Sequence, residues 1–444
     1  MQKTCLIAIL AASAAFAQGW KAGAASESIT PTEPVWMAGY AARTKPSEGV
    51  RHPIYVKALA IEDPAGERAV LVTADLVGFP KEMTDWVAEE IRKQHGLARD
   101  RILFNASHNH SGPVTRKYLA TRHTFQLDDA RREAVTRYTS FAEKQMVAVA
   151  GKALADLAPA SITFGQGFAG FAVNRRRETM SRALPGPVDH DVPVLTVQRP
   201  DGKVRAIVAG YACHATVLGD YEINGDWPGY AQSALEREFP GAVALFVQGA
   251  GADSNPLPRR SVELAQKYGE VLASAASQVA NGKRTKPVEG RLRTAFELID
   301  LPFQTPPSRQ ELERRRTSGA SEIERRHAAN LLSILDGGGT IRSSYPYPVQ
   351  VWRLGDTFKL VALGGELVVD YSVRLKRQHG FDNTWIAGYS NDVMGYIASR
   401  RVLREGGYEG GGAMLYGSNP GPWDEAVEET IVTKVAELIE RTAR

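Results

Sequence analysis

Cysteine is nearly absent from this 444-residue chain, which has only Cys5 and Cys213. A mature protein beginning at Gln18 would keep Cys213 alone, which excludes an intramolecular disulfide and leaves stability to the core. Long apolar runs are missing too. The one that stands out, Leu6–Phe16, falls short of the roughly 20 residues that a membrane span needs. An excess of one charge is also lacking, with Lys+Arg 54 against Asp+Glu 50 and a formal net charge of +4. Arginines cluster at Arg175-Arg176-Arg177 and at Arg314-Arg315-Arg316, but no aromatic platform interleaves with them, which argues against nucleic acid as a partner. No internal repeat or low-complexity linker divides the chain, so one large domain is expected over residues 18–444.

The N-terminus carries an address. Lys3, the apolar run Leu6–Phe16 and the small-x-small ending Ala15-Phe16-Ala17 make a signal peptide of residues 1–17, hence a secreted or periplasmic protein. Cys5 precedes the apolar run instead of standing at the cleavage site, which argues against a lipoprotein anchor.

The rest is 43% hydrophobic and 23% charged, ample for a core. Tyr55–Glu62 and Ala69–Leu76 read as a hairpin around Pro64-Ala65-Gly66. Glu82–His95 has helical spacing with Gly96 as its C-cap, and Asp128–Leu157 is a long helix. Strands are expected at Val188–Gln198, Val204–Cys213, Ala242–Val247, Leu292–Ile299, Val349–Arg353, Phe358–Leu363 and Thr384–Gly388. Helices are expected at Ser261–Ala280, over the polar stretch Pro306–Leu335, at Glu366–His379 and at Asp424–Arg441. The alternation predicts an α/β fold, with mixed β-sheets flanked by helices and a metal site at strand ends.

The most informative stretch is Ile102–Val114, ILFNASHNHSGPV. An apolar run enters small polar residues and then His108-Asn109-His110, and Gly112-Pro113 closes it. On a strand, residues i and i+2 share a face, so both imidazoles can meet at one point. Histidine is the commonest metal ligand, although two solvated loop histidines would look the same in sequence. Other loops carry polar residues of the same kind. Taken singly, His214 after Val204–Cys213 also reads as a hydrogen-bonded core histidine. Glu366 reads as a glutamate favoured by a helix start, and Tyr396 as core. Cys213 beside His214 should face the opposite side and be buried.

Taken in order, SHNHSGP, GYACHATVLGD, NGDWPGY, VQGAGADSNP, GGELVVDYSVRLK, YSNDVMGYIASRR and GGYEGGGAMLYG resemble the catalytic region of the neutral (non-lysosomal) ceramidases, from about Ala22 to Trp423. The resemblance implies one zinc ion per chain, held by His108, His214, Glu366 and Tyr396. His110 would stand beside the metal-bound water, Tyr408 would contact the scissile amide, Arg175 would contact substrate, and Ser254 would lie near the zinc. Such a site implies cleavage of the N-acyl amide of a ceramide-like lipid by attack of zinc-bound water. The partners implied are a lipid or small-molecule substrate and, transiently, a membrane surface, with no obligate protein partner. Two departures stand out. GADSNP replaces the usual GD-x-S pattern, and the sequence stops in a helix soon after Trp423, without the C-terminal β-sandwich that known ceramidases carry. A different N-acyl amide or ester as substrate, or a non-catalytic lipid- or glycan-binding role, would also fit the pattern.

Overall fold

The computed structural model describes residues 19–115, 127–178, 186–356 and 358–444; the signal-peptide reading of 1–17 lies outside them. Among the described residues, nine strands form the larger sheet. They are β1 (Trp20–Ser28), β2 (Tyr55–Glu62), β3 (Arg68–Ala74), β4 (Ile102–Ala106), β5 (Ala158–Phe168), β6 (Asp191–Gln198), β7 (Val204–Tyr211) and β8 (Val243–Gln248), with the short Lys286–Pro287 added against β5. The spatial order is β8-β7-β6-β5-β1-β2-β3-β4. Its centre is antiparallel, while β7/β8 at one edge and β3/β4 at the other are parallel. Parallel neighbours need a crossover. Helix α1 (Lys81–His95) supplies it between β3 and β4. Beyond α2 (Asp129–Ala155), α3 (Asp226–Glu238) does the same between β7 and β8.

Alternation along the strands decides the layers. On β3, Val70 and Val72 face α1 and α2, whereas Ala69 and Leu71 face the other way, into a core shared with a second sheet. Both faces being covered, Ala69–Ala74 is buried throughout. Helix α4 (Val262–Ala280) joins α3 over the β6–β8 half. The second sheet runs β9 (Leu292–Pro302), β10 (Ser344–Leu354), β11 (Phe358–Leu363), β12 (Thr384–Ala387), in that spatial order. Its Trp352, Phe358, Leu360 and Trp385 meet Leu59, Leu71, Leu103 and Leu245 of the larger sheet. Its outer face is covered by the last helix, so the domain stacks helix, sheet, sheet, helix, as the α/β expectation implied.

The polar stretch Pro306–Leu335 is helical but broken at Gly319, into α5 (Arg309–Ser318) and α6 (Glu322–Asp336). Ser308 and Ser321 each accept from the backbone N–H three residues on, capping both helices. The segment expected as one helix, Glu366–His379, divides as well. Only Asp370–His379 is helical (α7), and Glu366–Leu367 is extended. Helix α7 is the crossover between the parallel strands β11 and β12. Two further helices follow, α8 (Arg400–Glu405) and α9 (Val427–Arg441).

The two sheets are pinned by Asn105, which is fully buried on β4. Its Nδ2 donates to Gly388 O at 2.7 Å, and its Oδ1 accepts from Gln248 N at 2.8 Å. Asn105→Ala leaves the Gln248 N–H buried without an acceptor. A loss of about 2–4 kcal/mol is expected, read as a lower urea midpoint at unchanged slope. A change under about 0.5 kcal/mol would mean that the sheets hold together without this clamp.

Candidate metal centre

The parallel pairs of the two main sheets, β3/β4, β7/β8 and β11/β12, point their carboxyl ends at one place, where open α/β sheets build their sites. His108 follows β4, His214 follows β7, Glu366 follows β11, and Tyr396 comes after β12. The histidine pair itself is not on a strand. β4 ends at Ala106, and His108 is in the left-handed region at φ 57°, so turn geometry brings the imidazoles together in place of strand alternation. The turn is held by Asn109. Its backbone N–H donates to Leu76 O at 3.1 Å, and its Nδ2 donates to Asn224 O at 2.6 Å and Asp75 O at 3.2 Å. Left-handed backbone at a non-glycine residue costs of order 1–3 kcal/mol and persists where its surroundings over-determine it.

The donor atoms are oriented from behind. His108 Nδ1 lies 2.7 Å from Val77 O, and His214 Nδ1 lies 2.9 Å from Gly251 O. Carbonyls only accept, so each Nδ1 carries the proton and each Nε2 turns a lone pair inward. Glu366 Oε2 sits 3.1 Å from His108 Nε2 and 3.5 Å from His214 Nε2, buried and without a hydrogen bond. Tyr396 is paired in register with Glu366 in a two-residue parallel bridge, and its Oη is 3.4 Å from His214 Nε2. The glutamate that sequence placed on a helix turn thus stands on a strand, because Glu366 N–H bonds Gly395 O at 2.8 Å.

His110 completes the cluster. Its Nε2 is 2.9 Å from His108 Nε2, and the ring nitrogens of His108, His110 and His214 all lie within 4.8 Å of one another, a group that could hold a metal. Burial, aided by the neighbouring Arg175, pushes His214 down to about 4. Burial beside the other two imidazoles pushes His110 well below the usual range. Burial alone would push the Glu366 carboxyl up, but the His108 and His214 imidazoles reverse that and hold it well below the usual carboxylate range. Three ring nitrogens and a carboxylate oxygen thus converge within hydrogen-bond distance, and one cation could bind them together. The donor set fits a metal.

The other expected site residues are close by. Arg175 Nη2 donates to Tyr396 Oη at 2.9 Å, and its Nε donates to Glu409 at 2.7 Å, so it braces the tyrosine from behind. Glu409 also takes Arg176 Nη1 at 2.7 Å. The Ser254 hydroxyl is buried without a partner, and the serine's carbonyl accepts the His214 N–H at 3.0 Å. Tyr408 is 49% exposed at the mouth, its ring 5.3 Å from that of Tyr396. The cluster forms the floor of a pocket of about 420 Å³ walled by Tyr40, Val77, Val393, Met394, Tyr408 and Met414, among others.

Sequence reasoning missed Glu409, Tyr40, and Tyr389, whose buried ring lies 4.4 Å from that of His108. Glu409 was within GGYEGG, beside a tyrosine already singled out. Gly39 belongs with them, since a Cβ there would come within 2.5 Å of the His110 ring.

Cys213 takes no part. It is fully buried among Phe171, Tyr211 and Trp227, in the core under α3 and α4, and burial pushes its thiol up. Iodoacetamide is expected to leave Cys213 unmodified in the native protein and to alkylate it in denaturant. Native-state labelling, read by peptide mass, would contradict this placement.

A buried histidine cluster able to hold a metal, at the carboxyl ends of parallel strands and under an open pocket, is the arrangement of an α/β enzyme. The family model "Neutral/alkaline non-lysosomal ceramidase, N-terminal" matches residues 20–292, and the chain belongs to that family, one of hydrolases. A crystal structure of neutral ceramidase from Pseudomonas aeruginosa superposes with a TM-score of 0.73 at 22% identity, covering 96% of this chain and 75% of that one. A ceramidase complexed with C2 superposes at 0.72 with 19% identity, covering 96% and 76%. Identities this low speak for the fold. No curated protein matches. His108, His110, Arg175, His214 and Ser254 fall inside the matched residues, whereas Glu366, Tyr396 and Tyr408 lie beyond them.

Proposed function

We propose that this protein is an exported zinc-dependent amidohydrolase that cleaves the N-acyl amide of a ceramide-like lipid to a fatty acid and a free amine. One observation carries the reading. His108 Nε2 and His214 Nε2 meet Glu366 Oε2 at 3.1 and 3.5 Å, on the floor of a pocket with apolar walls. Two imidazoles, a carboxylate and a phenol are nitrogen and oxygen donors of the kind that zinc takes. His108, His214, Glu366 and Tyr396 would hold it. When bound there, zinc would supply the Lewis acidity that lowers the pKa of a water towards roughly 7 and polarises the amide carbonyl.

The chain's own residues do the rest. His110, held neutral by burial, accepts a proton from the attacking water and returns it to the leaving amine. Tyr408 at the mouth donates its hydroxyl to the carbonyl oxygen as charge develops there. Arg175 fixes Tyr396, and Glu409 fixes Arg175. The exposed rings of Tyr408 and Tyr416 at the mouth suit contact with a lipid surface. Export rests on the signal-peptide pattern of residues 1–17.

The test is release of sphingosine from an N-acylsphingosine by the purified protein with zinc confirmed bound. Release is the expected result. No release from zinc-loaded protein would discard ceramide as substrate and move the search to other N-acyl amides and esters.

A further inference from the structure

Tyr40 is a wall between two depressions. On one side its ring meets that of His110 nearly edge-on, with centroids 5.0 Å apart, and closes the pocket over the donor cluster. On the other it lines an open cleft of about 480 Å³ with Arg43, Leu218, Asp220, Tyr221 and Arg260. Two guanidiniums share this one ring, Arg43 at 4.9 Å and Arg260 at 5.3 Å from its centroid. Lys45, paired with Glu48, lies 4.7 Å from the centre of Tyr221.

Cations gathered this closely repel, and a carboxylate normally neutralises them. Neither arginine has one here among the described residues. Arg43 donates to the carbonyls of Ala38, His110 and Asp220. Arg260 reaches Tyr40 Oη at 3.3 Å and Leu218 O at 3.4 Å. The carboxylates near them are taken. Asp220 pairs with Arg51 at 2.6 Å, and buried Asp226 accepts the backbone N–H groups of Val217, Leu218 and Trp227. Arg43 is only 6% exposed, and its Nε has no partner. Burial pushes its guanidinium down to about 10. A desolvated cation short of hydrogen bonds stands to gain from an arriving anion.

We propose that this cleft is an anion subsite of the same binding site, and that it takes a compact oxyanion, phosphate or carboxylate, on the head group of the amphiphile whose amide occupies the pocket. The proposal rests on the amidohydrolase reading and extends it from neutral N-acyl amides to acidic ones. Tyr40 and Ala42 line both depressions, so one molecule can span them. Arg260 is exposed and offers the planar fork that suits two oxyanion oxygens.

The test is calorimetric titration of the intact protein with octyl phosphate and with N-octanoylglycine, taking octanol as the neutral reference. At least one anion is expected to bind about tenfold more tightly than octanol, and Arg260→Gln to reduce that preference below about twofold at unchanged melting temperature. A stronger phosphate arm points to a phosphorylated lipid, and a stronger carboxylate arm to an N-acyl amino acid. Equal affinity for the anions and octanol overturns the proposal. So does a preference that survives Arg260→Gln, because the anion would then be seated on the donor cluster instead. None of these readouts needs turnover. A protein that cleaves ceramide yet shows no anion preference overturns this inference alone, and one that binds octyl phosphate through Arg260 but never cleaves ceramide overturns only the substrate reading.

Discussion

His214→Ala is expected to empty the metal centre and to lower turnover by at least about a thousandfold. The imidazole contributes an inward lone pair on Nε2, and it cannot be replaced from nearby. Its orientation depends on Gly251 O at 2.9 Å and on its own N–H bonded to Ser254 O at 3.0 Å. Loss of an outer partner of a metal ligand costs about 10–100-fold in affinity or activity, and loss of a ligand costs more. Folding should survive, because His214 sits at the end of a strand beside an open pocket and not within the packed core between the sheets. The check is metal content by mass spectrometry beside turnover and a melting curve. A folded His214→Ala protein with one zinc per chain and wild-type activity would sink the assignment of His214 as a ligand. His108→Ala should behave in the same way, since Val77 O anchors that ring as Gly251 O anchors the other.

Local chemistry was readable from the chain, and long-range pairing was not. The helices expected at Asp128–Leu157 and Ser261–Ala280 form where expected, capped by Asp128 and Ser261, because a cap depends only on residues within one turn. Cys213 and His214 fall on opposite sides as expected, although the strand ends at Tyr211, two residues before Cys213. The two-sheet stack could not be read, since which strands become neighbours is decided across hundreds of residues. β4 lies beside β3 because α1 carries it there. The site errors have the same origin. His108 leaves the strand because Asn109 bonds to loops after β3 and β7. Glu366 leaves the expected helix because Tyr396, thirty positions on, offers it a parallel bridge. Glu409 was passed over because a glutamate among glycines reads as solvated, whereas here two arginines bury it. The residue types at the site were therefore legible before their conformations.

His110→Ala is expected to separate metal binding from catalysis, keeping the metal and lowering kcat by about 10²–10⁴-fold. Distance alone does not assign His110, whose ring nitrogens stand as near to His108 and His214 as a ligand's would. The far side of the ring does. A histidine ligand donates its other N–H to a carbonyl or carboxylate that fixes tautomer and aim. His108 and His214 both have that carbonyl, but His110 Nδ1 is buried with no partner. Its ring is held by packing instead, between Tyr40 at 5.0 Å and the space left by Gly39. With no carbonyl choosing its tautomer, the imidazole can accept a proton at one nitrogen without breaking a bond at the other, which suits a group that takes a proton and gives it back. Burial keeps it neutral at pH 7. The measurement is zinc stoichiometry and kcat on the same sample, with added imidazole tested for rescue in the vacated space. Zinc lost in step with activity would make His110 a ligand. Full zinc with wild-type kcat would remove it from the chemistry and leave the water to be deprotonated by another group, such as the Glu366 carboxylate.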